Sequence, residues 1–169
     1  YQYGFPEKGD HFFREALKLD EDSAKYLRYF IHFIAEQKGD YKTALDYYFK
    51  ALKLNEELKN KKNMALNIGN IANVYTQQGN YKNALEYFFK NLAINEELEN
   101  INGIATVLGN IGSVYRAMKE YEKANEYFLK ALALSKEVDE KSGIASNLGN
   151  LGLVFMNQKK YTEAENYLL

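Results

Sequence analysis

A chain of 169 residues with 22 Lys and Arg against 23 Asp and Glu carries a net charge of -1, which argues against a phosphate-neutralising surface or an anionic-membrane patch. Cysteine is absent, so disulfides, thiolate metal sites and cysteine nucleophiles are excluded. Every apolar run is broken by Gly, Asn or a charge well before the roughly 18 residues needed to span a bilayer.

The first nine residues hold the only proline, Pro6, and two glycines, and show no helical period. They read as a loop. From Asp10, a suitable N-cap, a helix is expected with Phe13, Ala16 and Leu17 on one face. Phe12 to Glu21 parallels Tyr47 to Glu56 at an offset of 35, so residues 1–22 read as a loop followed by the remnant second helix of a truncated repeat. Ser23 to Lys38 is the next expected helix and an irregular one, crowded by Tyr26, Tyr29, Phe30 and Phe33. These rings either cover an end of the fold or form an apolar partner site. Lys38-Gly39-Asp40 then supplies a glycine for a left-handed C′ position and an Asp N-cap, and Tyr41 to about Asn60 completes a helical hairpin over 23–60.

Two further hairpins follow over 61–100 and 101–140, and a truncated fourth over 141–169. First helices are expected near 63–78, 101–118 and 142–158, and second helices near 81–99, 121–138 and from 161 onward. The period is 40 residues: Ile68-Gly69-Asn70-Ile71 returns as Leu108-Gly109-Asn110-Ile111 and as Leu148-Gly149-Asn150-Leu151. Such a period signifies a stacked array. Ile68, Ile71, Ala72 and Tyr75 share one helix face, while Asn70, Asn73 and Gln77 share another. One face packs and the other is free to bind. Ala44, Ala84, Ala124 and Ala164 keep the contact face of each second helix small. The turn glycines Gly39 and Gly79 give way to Lys119 and Lys159, so the later turns are expected to be strained or differently built, and the C-terminal half less regular.

Paired helices with Gly-Asp-Tyr or Gly-Asn-Tyr at the turn, Ala three residues after that Tyr and an aromatic four further on resemble the tetratricopeptide repeat. The resemblance covers the chain from about Phe12. The 40-residue form, longer than the usual 34, is similar to kinesin light chains, to spindle-orientation adaptors and to bacterial signalling proteins. It implies an all-α, right-handed superhelical solenoid of antiparallel helix hairpins whose concave wall is made by the first helices, and no enzymatic activity. It also implies that Asn70, Asn110 and Asn150 hydrogen-bond the main chain of an extended peptide, because an amide offers donor and acceptor together. Gly69, Gly109 and Gly149 would then let a ligand approach the helix closely. Each signal has a plainer alternative: the asparagines pin one repeat to the next, and the glycines seat the adjacent hairpin.

The candidate peptide-binding set is therefore Asn70, Asn73, Gln77, Asn110, Ser113, Arg116, Asn150, Leu153 and Asn157, with the three close-approach glycines. Arg116 is the only cation on that wall, which argues against a clamp for a terminal carboxylate and against a strongly acidic ligand. No catalytic constellation emerges: Glu56-Glu57 and Glu96-Glu97 recur with the repeat as solvated faces, and no phosphate loop or nucleophile elbow is present. His11 and His32 lack companions at metal-ligand spacing. The expectation is a non-catalytic protein-interaction module without cofactor or metal, binding a protein or peptide and neither nucleic acid nor membrane. A regulatory segment of a larger bacterial signalling protein and a self-associating structural array are the competing readings. The sequence reads as a fragment, since it starts without Met and stops at Leu169 inside an expected helix; a cytoplasmic location is the expectation.

Overall fold

The computed structural model describes residues 39–168. The expected helices at Asp10 and at Ser23 to Lys38, the aromatic group at Tyr29-Phe30 and both histidines lie outside the described residues. Among those described there are seven helices and no strand: α1 (Tyr41–Glu57), α2 (Lys61–Gln77), α3 (Tyr81–Glu97), α4 (Ile101–Ala117), α5 (Tyr121–Glu137), α6 (Lys141–Asn157) and α7 (Tyr161–Leu168). A new helix begins every 20 residues, from 41 to 161. The 40-residue sequence period is thus a doubled structural unit of one 17-residue helix and one three-residue link.

The links show why the helices stop where they do. Each centres on a residue with positive φ: Lys59 (53°), Gly79 (71°), Glu99 (51°), Lys119 (63°), Asp139 (50°) and Lys159 (60°). The following N–H then reaches back five residues, as in Asn60 N to Asn55 O (2.9 Å), Asn100 N to Asn95 O (2.9 Å), Glu120 N to Tyr115 O (2.9 Å) and Lys160 N to Phe155 O (2.9 Å). This is the Schellman arrangement, which satisfies carbonyls that a helix end leaves open. The third link residue caps the next helix. Asp40 Oδ1 accepts from Thr43 N (3.1 Å), Asn60 Oδ1 from Asn63 N (3.1 Å), Asn80 Oδ1 from Asn83 N (3.4 Å) and Asn100 Oδ1 from Gly103 N (3.2 Å). Glu120 instead holds Lys123 in an ion pair at 2.6 Å.

The expectation for Lys119 and Lys159 resolves as strain rather than redesign. Both take the left-handed conformation, and the C-terminal half is as regular as the rest, with α4, α5 and α6 each 17 residues long. A left-handed lysine costs on the order of 1 kcal/mol. The carbonyls and N–H groups it allows the link to satisfy are together worth more than that. Glycine at this position is therefore an optimum and not a requirement.

The chain divides within α2 into two compact units, the first ending at Val74 and the second running from Tyr75. In the first unit α1 buries Ala44, Tyr48, Ala51 and Leu54, at the i, i+4, i+7, i+10 spacing of one stripe. Its part of α2 buries Ala65, Ile68, Ile71, Ala72 and Val74. In the second unit α3 to α7 each pack on the next, and α4 also touches α6. One cluster there joins Ala124, Phe128 and Leu132 of α5 to Leu151 and Val154 of α6, flanked by Tyr115, Tyr121, Ile144, Leu148 and Tyr167. Complete burial of a ring such as Phe128 contributes roughly 1.5–3 kcal/mol.

The small residues expected on the second helices are buried as Ala44, Ala84, Ala124 and Ala164. Ring pairs repeat at the same 40-residue interval. Tyr75 meets Tyr87 at 5.6 Å, Tyr115 stacks on Tyr127 at 5.4 Å, and Phe155 on Tyr167 at 5.4 Å. Burial, and next the neighbouring Tyr87, push the Tyr75 phenol up in pKa. These rings close the hairpins from within, as their helical spacing predicts.

Candidate functional site

The site begins with what α4 and α6 have in common. Both are first helices of a hairpin, both are interrupted by Gly-Asn at the same register, and they lie against each other in the second unit. Residue 147 decides how closely they approach. Asn147 is buried, and its Nδ2 donates to Gly143 O of its own helix at 2.9 Å. Its Oδ1 lies 3.2 Å from where a Cβ on Gly109 would sit. Gly109 thus lies against the next repeat's asparagine. Gly149, one repeat on, has no atom within 4 Å of the same point.

Between these helices runs a pocket of about 510 Å³, walled by Asn102, Ala105, Thr106, Gly109, Asn110 and Ser113 of α4 and by Ser142, Ser146 and Asn150 of α6. Gly143, Asn147, Ser135 and Glu140 also line it. It unites four of the sequence-derived candidates: Gly109, Asn110, Ser113 and Asn150. Asn110 and Asn150 are half-buried. Among the described residues, neither side chain is hydrogen-bonded to another protein group. Ser113 and Thr106 turn back on their own helix, donating to Gly109 O (3.1 Å) and Asn102 O (2.8 Å). That leaves their oxygens free to accept.

The remaining candidates lie elsewhere. Gly69 and Asn70 are half-buried and Asn73 exposed, all in the first unit, while Gln77 is exposed at the end of α2. Leu153 and Asn157 are exposed on α6, and Leu153 and Asn157, like Gly149, do not line the pocket. Arg116 does not line it either; its Nε is buried without a protein partner.

The pocket floor was not foreseen from the sequence. At the junction of α3 and α4, Asn95 Nδ2 donates to Asn91 O (2.9 Å) and Asn91 Oδ1 (2.7 Å), and Asn100 Nδ2 donates to Asn95 Oδ1 (2.8 Å). One repeat later the residues matching Asn91, Asn95, Asn100 and Asn102 are Ala131, Ser135, Glu140 and Ser142. Ala131, Ser135 and Ser142 are shorter than the asparagines they match, whereas Glu140 is longer and charged. A signal existed in these substitutions at repeat-equivalent positions, but it falls in the segment that reads merely as helix extension.

Glu140 is the one charged residue in the lining. Its carboxylate folds over the start of α6: Oε1 accepts from Ser142 N (3.2 Å) and Ser142 Oγ (2.8 Å), and Oε2 accepts from Gly143 N. A Cβ on Gly143 would meet Glu140 Oε2 at 2.5 Å and Ser135 Oγ at 2.7 Å, so the absence of a side chain is what lets both oxygens converge there. The bonds from Ser142, then that from Gly143, hold the Glu140 carboxyl below the usual carboxylate range. Among the described residues no group of three His, Cys, Asp or Glu could hold a metal, and no helix is long and apolar enough to cross a membrane.

Comparison with known proteins fits this architecture. The profile of the tetratricopeptide repeat matches residues 22–97 and 61–137. No curated protein sequence matches the chain. BtubC (BKLC) from P. vanneervenii superposes with a TM-score of 0.79 at 21% identity, over 95% of this chain and 66% of that one. The apo form of RapI gives 0.71 at 23%, over 98% of this chain and 55% of its own. A Rap protein complexed with Competence and Sporulation Factor gives 0.71 at 17%, over 96% and 42%. The chain therefore spans between 42% and 66% of the length of these three proteins.

Proposed function

The chain belongs to the tetratricopeptide-repeat family, and from that premise we propose that it is a non-catalytic protein-interaction module which holds an extended peptide or partner segment along the face made by the first helices. The observation that carries this reading is the pair Asn110 and Asn150, two half-buried amides on facing walls of one pocket with no protein partner. A peptide main chain offers alternating donors and acceptors, and an amide can meet either without regard to the ligand's side chains. Asn70 holds the matching repeat position in the sequence of the first unit. The likeness to a Rap protein solved with a bound factor supports the idea that an array of this kind can hold a ligand.

The test starts from peptides selected on the wild-type chain from a random display library. Asn70, Asn110 and Asn150 are then replaced together by Ala, and affinity and urea stability are measured side by side. Affinity should fall at least about tenfold, the equivalent of one or two lost hydrogen bonds, with little change in stability. Unchanged affinity with reduced stability would assign the asparagines to holding the stack instead.

A further inference from the structure

Resting on the reading of this face as a peptide-binding surface, we propose that the pocket between α4 and α6 takes a cationic side chain of the bound segment, a lysine or an arginine, with Glu140 as its counter-charge. The lining contains one anion and no basic residue. An incoming carboxylate or phosphate would face Glu140 with nothing to neutralise it, whereas an ammonium or guanidinium finds a full negative charge. The carboxylate is already held by Ser142 and Gly143. Three donors leave it lone-pair capacity for another, since a carboxylate offers about four acceptor positions.

The rest of the pocket suits the same guest. Ser135 is 2% and Asn147 5% exposed, so oxygen acceptors stand at its floor, and Ser113 and Thr106 have spent their hydroxyl hydrogens on their own helix. Arginine presents five N–H donors and no acceptor, which matches a wall rich in accepting oxygens. An apolar side chain would strand those groups out of water. About 510 Å³ accommodates a long side chain together with water. Glu140 stands where the preceding repeat has Asn100, so the counter-charge belongs to this junction.

The experiment uses an array of immobilised nine-residue peptides of Gly, Ser, Ala and Asn with one central Arg, Lys, citrulline or Glu. It is probed with the wild-type chain, with Glu140→Gln and with Ser146→Lys. Ser146 is exposed on the pocket wall, and lysine there supplies a competing cation while leaving the α6 cap intact. Circular dichroism verifies that each variant is folded. The wild type should retain Arg and Lys peptides about tenfold better than citrulline, the step expected of one charge-assisted contact. Both variants should bring that ratio to about twofold or less. Equal retention of Arg and citrulline by the wild type, or a preference that survives in both folded variants, overturns the proposal and leaves the groove reading standing. Retention of no peptide at all overturns the groove reading and the pocket assignment with it.

Discussion

Two glycines that look alike in sequence should respond oppositely to alanine. Gly149 lies in the middle of α6 with no atom within 4 Å of the position a methyl would take. Alanine is better than glycine in a helix interior by about 0.8–1.0 kcal/mol, so Gly149→Ala should stabilise by nearly that amount, raising Tm by about 2–4 °C for a chain of this size. Gly112 lies in the middle of α4, where the same methyl would meet Cδ1 and Cε1 of Phe128 at 2.9 Å. Phe128 is fully buried and part of the central cluster, so it cannot swing aside. Overpacking costs roughly 1–3 kcal/mol, which cancels or outweighs the propensity gain. Gly112→Ala should therefore be neutral to about 2 kcal/mol destabilising, leaving the two variants about 1–3 kcal/mol apart. Urea and thermal unfolding followed by circular dichroism read both values. If Gly149→Ala lowers stability by more than about 0.5 kcal/mol, or if the two variants unfold together, then the packing described around these helices is wrong.

Other outcomes follow from the links and the junctions. Lys119→Gly should stabilise by up to about 1 kcal/mol, because the link holds φ at 63° and glycine relieves the strain; urea melts that show a loss would contradict the strain. Asn95→Ala removes two bonds to Asn91 and the acceptor of Asn100. It should cost about 1–3 kcal/mol in the same melts. Glu140 has a folded-state pKa below its unfolded value, so its contribution is present above the unfolded pKa of about 4.3 and is lost as pH falls through the lower folded value. Thermal melts from pH 7 downward should lose less stability in Glu140→Gln than in the wild type over that acid range; parallel curves would refute the linkage.

The architecture was legible because it rests on local rules. Helix faces such as Ile68, Ile71 and Ala72 appear directly in the spacing, and the Asp40 and Gly39 signals sit next to each other in sequence. Lys119 and Lys159 were harder to read. Sequence shows that glycine is missing but not whether the backbone tolerates its absence, and the balance turns on carbonyls that only the folded link satisfies. The site was half legible. Asn110 and Asn150 stand out by repetition, but the pocket between them is also lined by Ser135, Glu140 and Ser142, which fall where the sequence reads only as helix extension. Asn147 escaped notice because it occupies a position where Val107 is apolar, and its partner is a backbone carbonyl on its own helix.

The even spacing of helix starts constrains how this chain can change length. An α-helix rotates about 100° per residue, so one residue gained inside α5 would swing everything after it to a new azimuth and carry Ser142, Asn147 and Asn150 away from α4. A single added helix with its link, twenty residues, would reverse the direction of travel, exchanging first helices for second. Only a step of two helices with both links preserves angle and polarity together, which makes the whole hairpin the smallest increment by which the array can lengthen or shorten without losing its wall.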